Sequence, residues 1–347
     1  MDRSYWHDAT EPGALYDALK VCCRGVRWKD SVVGYEERGL MHSVELSELL
    51  RNGTYKISKY QRFEVMEPKR REIVAARLVD RQFQLALCDA GLYEDITEHF
   101  TADNCACQSG RGTDYAMARL KSQLGAYHRR HGDAGWYLKC DVRHFFASIP
   151  HDVAKCAITK RVSDPMAARA VCDVIDSFGG DRGLGLGSQI SQLTALAVLD
   201  DMDHMVRERL GVRCYVRYMD DFILVHEDKE HLRSCLDAIS RHLSEIGLEL
   251  NGKTTMQPLR HGIWFLQWRF VITRTGRVLV LCNRRKIAKW KRRLAAIWSR
   301  ETSGLSPNGT TRRVYECYLA CLAKGDARRE RGMLTAFYED LTGVNYA

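Results

Sequence analysis

The most informative pattern in the chain is a pair of short apolar runs separated by a polar tip. Residues 214–217 and 222–225 are rich in β-branched and aromatic side chains, and the sequence Tyr-Met-Asp-Asp lies between them at 218–221. This arrangement predicts a strand, a tight turn and a second strand. Another apolar run, 136–142, predicts a largely buried strand that carries Asp141 near its end. We thus expect these acidic side chains to lie where the predicted strands end.

Helical periodicity accounts for much of the rest of the chain. After the hairpin, apolar residues recur every three or four positions and a glycine follows as a C-cap, in the order Leu232, Leu236, Ile239, Leu243, Ile246 and Gly247. Helices are also predicted for residues 43–50, 78–90, 113–128, 165–179 and 284–300. Further β-rich stretches are predicted at 55–60, at 63–66 and as a strand pair between 263 and 280.

The order of these elements predicts an α+β fold with three lobes. A mixed, fingers-like N-terminal region is followed by a sheet with helices and then by a helical tail. The expected divisions are residues 1–135, 136–280 and 281–347, and the helices between 150 and 185 accompany the middle lobe.

Composition and charge narrow the class of protein. The 347 residues are 45% hydrophobic and 28% charged, which is ordinary for a soluble globular chain, and no run is long enough for a membrane span. The odd number of cysteines, 13, and the lack of an export signal predict a cytoplasmic protein without contact to a membrane.

The net charge of +9 favours a polyanionic partner. Basic residues cluster at 69–77 and 284–300, which suits a cleft that holds a phosphate backbone.

Three aspartates carry the candidate chemistry. Adjacent carboxylates such as Asp220 and Asp221 repel each other unless a cation lies between them, and Mg²⁺ prefers such oxygen ligands. Two-metal phosphoryl transfer needs carboxylates from different elements, and Asp141 supplies the second element. We therefore predict two Mg²⁺ ions, with Mn²⁺ as an alternative, bound by Asp141, Asp220 and Asp221. The alternative for the pair is an ordinary turn, and for Asp141 a cap at the end of a strand.

Short blocks along the chain resemble the successive sequence blocks of reverse transcriptases. Their order is Pro68-Lys69-Arg70-Arg71-x-Ile73 with Asp80-Arg81, Gly110-Arg111-Gly112-Thr113, Asp141-x₃-Phe145-Phe146-x-Ser148-Ile149, Gly183-Leu184-Gly185-Leu186-Gly187-x₃-Ser191-Gln192, Tyr218-Met219-Asp220-Asp221, Gly247-Leu248-x-Leu250-Asn251-x-Lys253, and Gly262-Ile263-x-Phe265-Leu266. Ordered blocks over roughly residues 55–280 are far more specific than any single motif.

The resemblance implies a right-hand polymerase with fingers, an antiparallel palm sheet backed by helices, and a helical thumb. Its activity would be RNA-directed DNA polymerisation from an RNA template, a DNA or RNA primer and dNTPs. The implied catalytic residues are Asp141, Asp220, Asp221 and Lys253, of which Lys253 would protonate the departing pyrophosphate. Nucleotide contacts are implied for Lys69, Arg71, Phe146, Leu186, Gly187, Gln192, Tyr218 and Met219. Phe146 falls at the steric gate that would exclude a ribose 2′-hydroxyl.

Primer and template contacts follow from the remaining blocks and from the basic helix. They are expected at Gly110, Arg111, Gly262, Phe265, Leu266, Arg284, Arg285, Lys289, Arg292 and Arg293. Gly110 is alternatively a turn residue only, and the basic helix alternatively a solvated face. Eight Lys or Arg side chains in the segment favour phosphate contact.

Departures from the common pattern indicate the type of reverse transcriptase. Leu186-Gly187 stands where many members have Gln-Gly, and Ser191-Gln192 where they have Ser-Pro. The Ser-Gln form is similar to that of diversity-generating retroelements, which implies an error-prone enzyme with a small basic accessory protein as a candidate partner. Leucine at 186 cannot hydrogen-bond the nucleotide, so we predict low fidelity. Gly185 replaces a usual proline and Gln267 a usual glycine, which weakens the resemblance to this type.

Other functions remain open at this stage. A stand-alone bacterial reverse transcriptase of a phage-defence system would share the same core, with a structured non-coding RNA as a candidate partner. Neighbouring genes would distinguish it from a retroelement enzyme. A catalytically idle RNA-binding protein on this scaffold is disfavoured because all three carboxylates are present. A metal-dependent nuclease would have no use for Lys69, Arg71 or the Phe146 gate.

Overall fold

The computed structural model describes residues 4–66 and 70–344. The chain begins with four helices that pack around Leu15, Leu19 and Leu46: α1 (Trp6–Ala9), α2 (Pro12–Cys22), α3 (Asp30–Glu37) and α4 (Gly39–Arg51). Pro12 occupies the first turn of α2, where its missing N–H costs nothing. Within the described residues, no helix is long and apolar enough to cross a membrane.

An exposed antiparallel hairpin follows these helices. It consists of β1 (Gln61–Val65) and β2 (Arg71–Ala75). The β-structure predicted at 55–60 is wrong, because these residues form an irregular segment in front of β1. There Tyr55 donates its hydroxyl to Asp80 at 2.5 Å, and the Ser58 N–H donates to the same carboxylate at 3.1 Å. The hairpin leads into α5 (Leu78–Leu87), α6 (Tyr93–Thr97) and α7 (Thr113–His131).

The middle of the chain supplies the central sheet and the helices around it. In chain order these are β3 (Trp136–Asp141), α8 (Phe145–Ser148), α9 (His151–Thr159), α10 (Pro165–Asp176), α11 (Gln189–Val198), α12 (Asp200–His204), β4 (Cys214–Tyr218), β5 (Asp221–His226), α13 (Lys229–Glu245) and β6 (Thr255–Pro258). Asp164 caps α10, because its side chain accepts hydrogen bonds from the N–H groups of Met166 and Ala167.

The central sheet has the strand order β4-β5-β3-β6, and every pairing is antiparallel. Side chains alternate between its two faces. Leu138, Cys140 and Phe222 pack against helices in one core, whereas Tyr137 and Ile223 pack into a second core on the opposite face. Asp141 and Asp221 belong by alternation to the second face, at the end of the sheet that these cores leave open.

A smaller sheet and three helices complete the chain. The strands are β7 (Ile263–Phe265), β8 (Trp268–Ile272) and β9 (Val278–Cys282), where the sequence predicted a strand pair, and the helices are α14 (Arg284–Thr302), α15 (Thr310–Leu322) and α16 (Arg328–Thr342). Ile287, Trp290 and Leu294 form the buried side of α14, as its periodicity predicts. The predicted α+β class is confirmed.

Candidate active site

The Tyr-Met-Asp-Asp sequence forms the tight turn of the β4–β5 hairpin. Tyr218 pairs with Asp221, so Met219 and Asp220 are the two central turn residues. Met219 has a φ of 57°, a left-handed conformation that two-residue hairpin turns require and that residues other than glycine seldom adopt. The chain therefore holds a strained residue directly beside the two carboxylates.

The neighbouring strand brings the third carboxylate to the same place. Asp141 lies directly opposite Asp221 in the antiparallel β3–β5 ladder. The Val142 N–H also donates to the Asp220 carbonyl at 3.2 Å, which ties the turn to the end of β3. Directly opposite residues share one face of a sheet, with Cβ atoms about 5 Å apart. The predicted grouping of the three aspartates is thus present in the backbone register.

Residues of the loop before β6 orient Asp141. The Asn251 N–H donates to the Asp141 carbonyl at 2.7 Å, and the Asn251 side-chain amide donates to Asp141 Oδ1 at 3.0 Å. The exposed Lys253 follows in the same loop, and its N–H donates to Asn251 Oδ1 at 3.2 Å. This loop therefore places the predicted proton donor in the segment that contacts Asp141.

Lys139 is a site residue that the sequence reasoning missed. Its Nζ lies 3.2 Å from Asp221 Oδ2 and donates to the Trp264 carbonyl at 2.9 Å. Lys139 precedes Asp141 by two positions and therefore lies on the same face of β3. That alternation was the available signal. It could not identify Asp221 as the partner, because the register between strands is not visible in one sequence.

Burial dominates the electrostatics of Asp221. Burial, together with the smaller effects of the neighbouring Asp141 and Asp220 and against the opposing effect of Lys139, raises the pKa of this carboxyl to about 6. Asp221 Oδ1 is buried and has no hydrogen-bond partner among the described residues. A partly desolvated carboxylate with a free oxygen, close to two others, is costly unless a cation binds.

The donor set fits a hard divalent cation in its chemistry, because all three side chains offer carboxylate oxygens. In the described part of the chain, however, no three His, Cys, Asp or Glu side chains are placed so that they could hold a metal ion together. Asp141 is turned toward Asn251 and Asp221 toward Lys139. The carboxylates would have to turn from these partners to share one cation.

The predicted nucleotide residues lie on several segments, two of which are connected by the loop 183–187. The Leu184 N–H donates to the Phe146 carbonyl at 2.8 Å, and the Val74 N–H of β2 donates to the Leu186 carbonyl at 3.3 Å. The loop 183–187 therefore joins the gate residue to the exposed hairpin. Phe146, Leu186, Gln192 and Tyr218 are half-buried, and Gly187 has a φ of 117°. Lys69 lies outside the described residues, and Arg71 is described only as a backbone position in β2.

Gly185, which departs from the reverse transcriptase pattern, is explained by its neighbour. A Cβ atom at this position would lie 2.3 Å from a ring carbon of Phe178. That ring stacks on Tyr60 at a centroid distance of 4.9 Å, and the Tyr60 hydroxyl lies 2.7 Å from Ser177 Oγ. The aromatic contact between the segment before β1 and the end of α10 thus takes the space that a larger residue would need.

The segment predicted to hold the primer forms the β7–β8 hairpin. Gly262 has a φ of 72° and Phe265 is fully buried, so the Phe265 side chain supports the hairpin from inside. Trp264 is the exposed side chain of β7, at 42%. The hairpin turn consists of Leu266 and Gln267, with φ values of 47° and 72°. Through Trp264 and Lys139, this hairpin is connected to Asp221.

Gln267→Gly is expected to stabilise the protein by about 0.5–1 kcal/mol. The left-handed conformation costs an ordinary residue about 1–2 kcal/mol, and the greater chain entropy of unfolded glycine offsets about half of that. Urea denaturation would measure the difference. The matched control is Gln257→Gly on β6, where the backbone is a regular strand and glycine should lower stability. A loss of stability in both variants would contradict the role of the turn.

The predicted template loop before α7 is mainly held by its own contacts. Gly110 has a φ of 69°, which confirms a turn there. Arg111 donates to the carbonyls of Thr101 and Asn104 at 3.0 and 3.3 Å and lies over the Tyr115 ring. These contacts order the loop, and the contact with template stays a prediction.

The basic helix α14 presents its charges to solvent. Its five predicted contact residues are exposed, and none forms an ion pair within residues 4–66 and 70–344: Arg284, Arg285, Lys289, Arg292 and Arg293. The inner residues Lys286 and Lys291 instead lie over the rings of Trp290 and Phe337. The outer face is thus a dense positive surface, as phosphate binding requires.

Comparisons with known proteins agree with this geometry. Residues 68–265 match the family described as reverse transcriptase (RNA-dependent DNA polymerase). No curated protein matches the chain. Among solved structures, telomerase from Candida albicans, in complex with a TWJ fragment of telomeric RNA, aligns with a TM-score of 0.50 and 11% identity over 88% of this chain and 65% of that chain.

Apo telomerase from Candida tropicalis aligns with a TM-score of 0.50 and 12% identity, over 82% of this chain and 60% of that chain. At such identities the likeness concerns the fold alone, and the chain spans less than two thirds of either telomerase chain. The family match covers more than half of this chain and includes Asp141, the turn at 218–221 and the segment up to Phe265. The chain therefore belongs to the reverse transcriptase family, with the predicted right-hand polymerase fold and the enzyme class of RNA-directed DNA polymerases.

Proposed function

We propose that this protein copies an RNA template into complementary DNA as the polymerase of a diversity-generating retroelement. It would extend a DNA or RNA primer with dNTPs. The observation that carries the chemistry is the strand register that places Asp141 opposite Asp221, with Asp220 in the adjoining turn. A carboxylate cluster on a hairpin, in a chain that also carries an exposed basic helix, suits reaction at the end of a nucleic acid.

The proposed roles combine the resemblance to reverse transcriptases with the contacts of Asp141. Asp141, Asp220 and Asp221 would hold two divalent cations, Mg²⁺ or Mn²⁺. Bound there, the cations would stabilise the charge on the attacking 3′-hydroxyl oxygen and on the leaving oxygen of the pyrophosphate. Asn251 keeps Asp141 oriented through its side-chain amide. Lys253, exposed in the same loop, would donate a proton to the pyrophosphate.

We propose that four parts of the chain contact the substrates. Phe146 would limit the space beside the 2′ position of the sugar, and the 183–187 loop would approach the base pair being formed. The outer face of α14 would follow the phosphates of the template–primer duplex. The Trp264 segment would hold the end of the primer.

Primer extension on an RNA template tests the proposed activity. With Mg²⁺ and all four dNTPs, the wild-type protein should extend the primer, whereas Asp220→Ala should not. The same assay with single dNTPs reports misincorporation. Equal behaviour of the two proteins would reject polymerase activity at this site.

The proposed subtype rests on Leu186 and on Ser191-Gln192. Leu186 is half-buried in the loop that its own carbonyl links to β2. Its side chain can fill space there but cannot hydrogen-bond a nucleotide. A site without that polar contact discriminates less between correct and incorrect base pairs.

Leu186→Gln is therefore expected to lower misincorporation by roughly 10-fold. Sequencing of cDNA copied from a defined RNA template would measure the error rate for each template base. Leu186→Met is the matched control, because it changes the shape of the side chain without adding a hydrogen-bonding group. An unchanged error rate in the glutamine variant would contradict the proposed cause of low fidelity.

A further inference from the structure

Arg217 is the largest side chain that is fully buried in the described residues. It belongs to β4 and directly precedes the Tyr-Met-Asp-Asp turn. Its backbone is also fixed, because its N–H donates to the Asp103 carbonyl at 2.8 Å and its carbonyl accepts from the Cys105 N–H at 2.9 Å. None of the reverse transcriptase blocks recognised in the sequence gives this residue a role.

The guanidinium of Arg217 joins two parts of the structure. Its Nε and Nη2 donate to the two carboxylate oxygens of Asp203 at 2.7 and 2.6 Å. Nη2 also donates to the Leu196 carbonyl at 3.3 Å, and Nη1 donates to the Met219 carbonyl at 3.0 Å. Met219 is the turn residue with the left-handed φ. The arginine thus connects helices α11 and α12 to the backbone of the catalytic turn.

Asp203 is equally buried and has a second anchor. The Tyr215 hydroxyl donates to Asp203 Oδ1 at 2.5 Å, and the exposed fraction of both Asp203 and Arg217 is 0%. The Tyr215 hydroxyl therefore holds the Asp203 carboxylate in place independently of Arg217. This makes the hydrogen bond to Met219 a contact with a rigid support.

Stability alone is a weak explanation for this arrangement. Removing two charges from water is expensive, and buried ion pairs can often be replaced by apolar residues at no cost. A strained turn residue persists only where its surroundings determine its conformation. The hydrogen bond from Arg217 supplies such a determinant at the carbonyl that directly precedes Asp220.

We propose that Arg217, held by Asp203, is a positioning residue that fixes the Met219–Asp220 turn and thereby aims Asp220 and Asp221 at the reacting phosphate. It does not touch substrate and acts through the backbone of the turn. The inference rests on the proposed function insofar as these carboxylates bind the divalent cations. It goes beyond that function by assigning their alignment to a buried ion pair behind the hairpin.

The decisive variant is Arg217→Met combined with Asp203→Asn. It removes both buried charges together and keeps a side-chain oxygen at 203 that can accept from the Tyr215 hydroxyl. The methionine fills the space of the arginine stem, but the hydrogen bond to Met219 is lost. A second variant, Arg217→Lys, keeps a charge for Asp203, but its single nitrogen cannot occupy both the Asp203 and the Met219 positions. Circular dichroism and thermal melting in EDTA would establish that each variant is folded.

We expect kcat for primer extension to fall roughly 10- to 100-fold in both variants, with unchanged affinity for the template–primer duplex. The Mg²⁺ concentration that gives half of the maximal rate should rise. Without any substrate, the increase in melting temperature on adding Mn²⁺ should be smaller than in the wild-type protein. A merely structural ion pair would alter none of these quantities once the protein is folded.

A comparable ion pair elsewhere supplies the control. Arg161 lies 2.9 Å from Asp200 and 3.2 Å from Asp201, and the side chains of Arg161 and Asp200 are at most 9% exposed. Asp200 shares helix α12 with Asp203, but the Arg161 guanidinium bonds to the Ala157 carbonyl and these two aspartates rather than to Met219. Arg161→Met combined with Asp200→Asn should leave kcat and the Mn²⁺ effect at their wild-type values. Loss of kcat in this control as well would overturn the specific role of Arg217.

Wild-type kcat and a wild-type Mn²⁺ effect in a folded Arg217 variant would also overturn the proposal. If both Arg217 variants are unfolded, Tyr215→Phe decides, because it removes only the hydroxyl that fixes Asp203. A smaller loss of kcat in the same direction supports the proposal, and no loss rejects it. If the wild-type protein extends no primer, the proposed function fails, while the Mn²⁺ measurement still tests the effect of Arg217 on the turn.

Discussion

Replacing Asp221 with asparagine is expected to abolish primer extension and at the same time to stabilise the folded protein. Loss of a metal-binding carboxylate should cost about 4 kcal/mol or more of transition-state stabilisation, which is roughly 1,000-fold in rate. Stability should change in the opposite direction. Burial raises the pKa of Asp221 to about 6, so its ionisation at pH 7 destabilises the folded state relative to the unfolded chain.

The expected gain for Asp221→Asn is about 1–2 kcal/mol at pH 7 without divalent cations, after allowing for the lost attraction to Lys139. The sign of the pH dependence follows from the raised pKa. Above about pH 6 the folded wild type bears the full cost of the charge, and this cost shrinks as the pH falls toward about 4, the pKa of an unfolded aspartate, below which the carboxyl is protonated in both states. The gain should therefore fade between pH 6 and pH 4.

Urea denaturation in EDTA, at several pH values, would measure the change in stability, and primer extension would measure activity. Asp237→Asn is the control, because this aspartate is exposed on α13 and has no ion pair within the described residues. It should change neither quantity. A variant at 221 that keeps wild-type activity would refute the catalytic assignment, and one that loses both activity and stability would indicate a structural role.

Phe146→Ala is expected to raise incorporation of ribonucleotides relative to deoxyribonucleotides by roughly 100-fold. Phe146 follows Asp141 by five positions and is half-buried, and its backbone carbonyl accepts from the Leu184 N–H in the loop 183–187. A bulky ring in this place would reject a 2′-hydroxyl by steric overlap, which is selection by repulsion. Its removal should leave the dNTP reaction less affected than the discrimination between sugars.

The measurement is the ratio of kcat/KM values for one rNTP and its matching dNTP on the same template. Phe145→Leu is a suitable control, because Phe145 packs edge-to-face against Phe146 with a centroid distance of 5.7 Å and is itself buried. That variant should lower stability without changing sugar selection. If sugar selection changes only in the Phe145 variant, the gate has been assigned to the wrong ring.

Local sequence patterns predicted the hairpin and its aspartates well. Strand-rich runs on both sides of 218–221 specify a hairpin within about a dozen residues, and alternation along 136–142 places Asp141 at the end of its strand. The 55–60 stretch was misjudged because its tyrosines and Ile57 suit a strand by propensity. In the structure, Tyr55 instead uses its hydroxyl to satisfy the buried Asp80. A tertiary hydrogen bond outweighed local preference there.

Contacts between distant segments could not be predicted from one sequence. Asp203 and Arg217 are fourteen positions apart, and nothing in the pattern of either segment shows that one guanidinium reaches both Asp203 and Met219. The same applies to Gly185, because only the position of the Phe178 ring shows that there is no space for a side chain there. Such residues are constrained by three-dimensional packing, which periodicity does not record.

The two contacts of Lys139 have a consequence for how cations bind. In the metal-free protein, its ammonium group is the counter-ion of Asp221, so an arriving dication competes with a tethered monocation for the same carboxylate. The competition extends to the β7–β8 hairpin, because the same nitrogen donates to the Trp264 carbonyl. Linkage is reciprocal: if cation binding changes the affinity for the primer end through this lysine, primer binding must change the affinity for the cation by the same factor. Lys139 would thus couple the affinities for the cation and for the primer end, whichever of the two binds first.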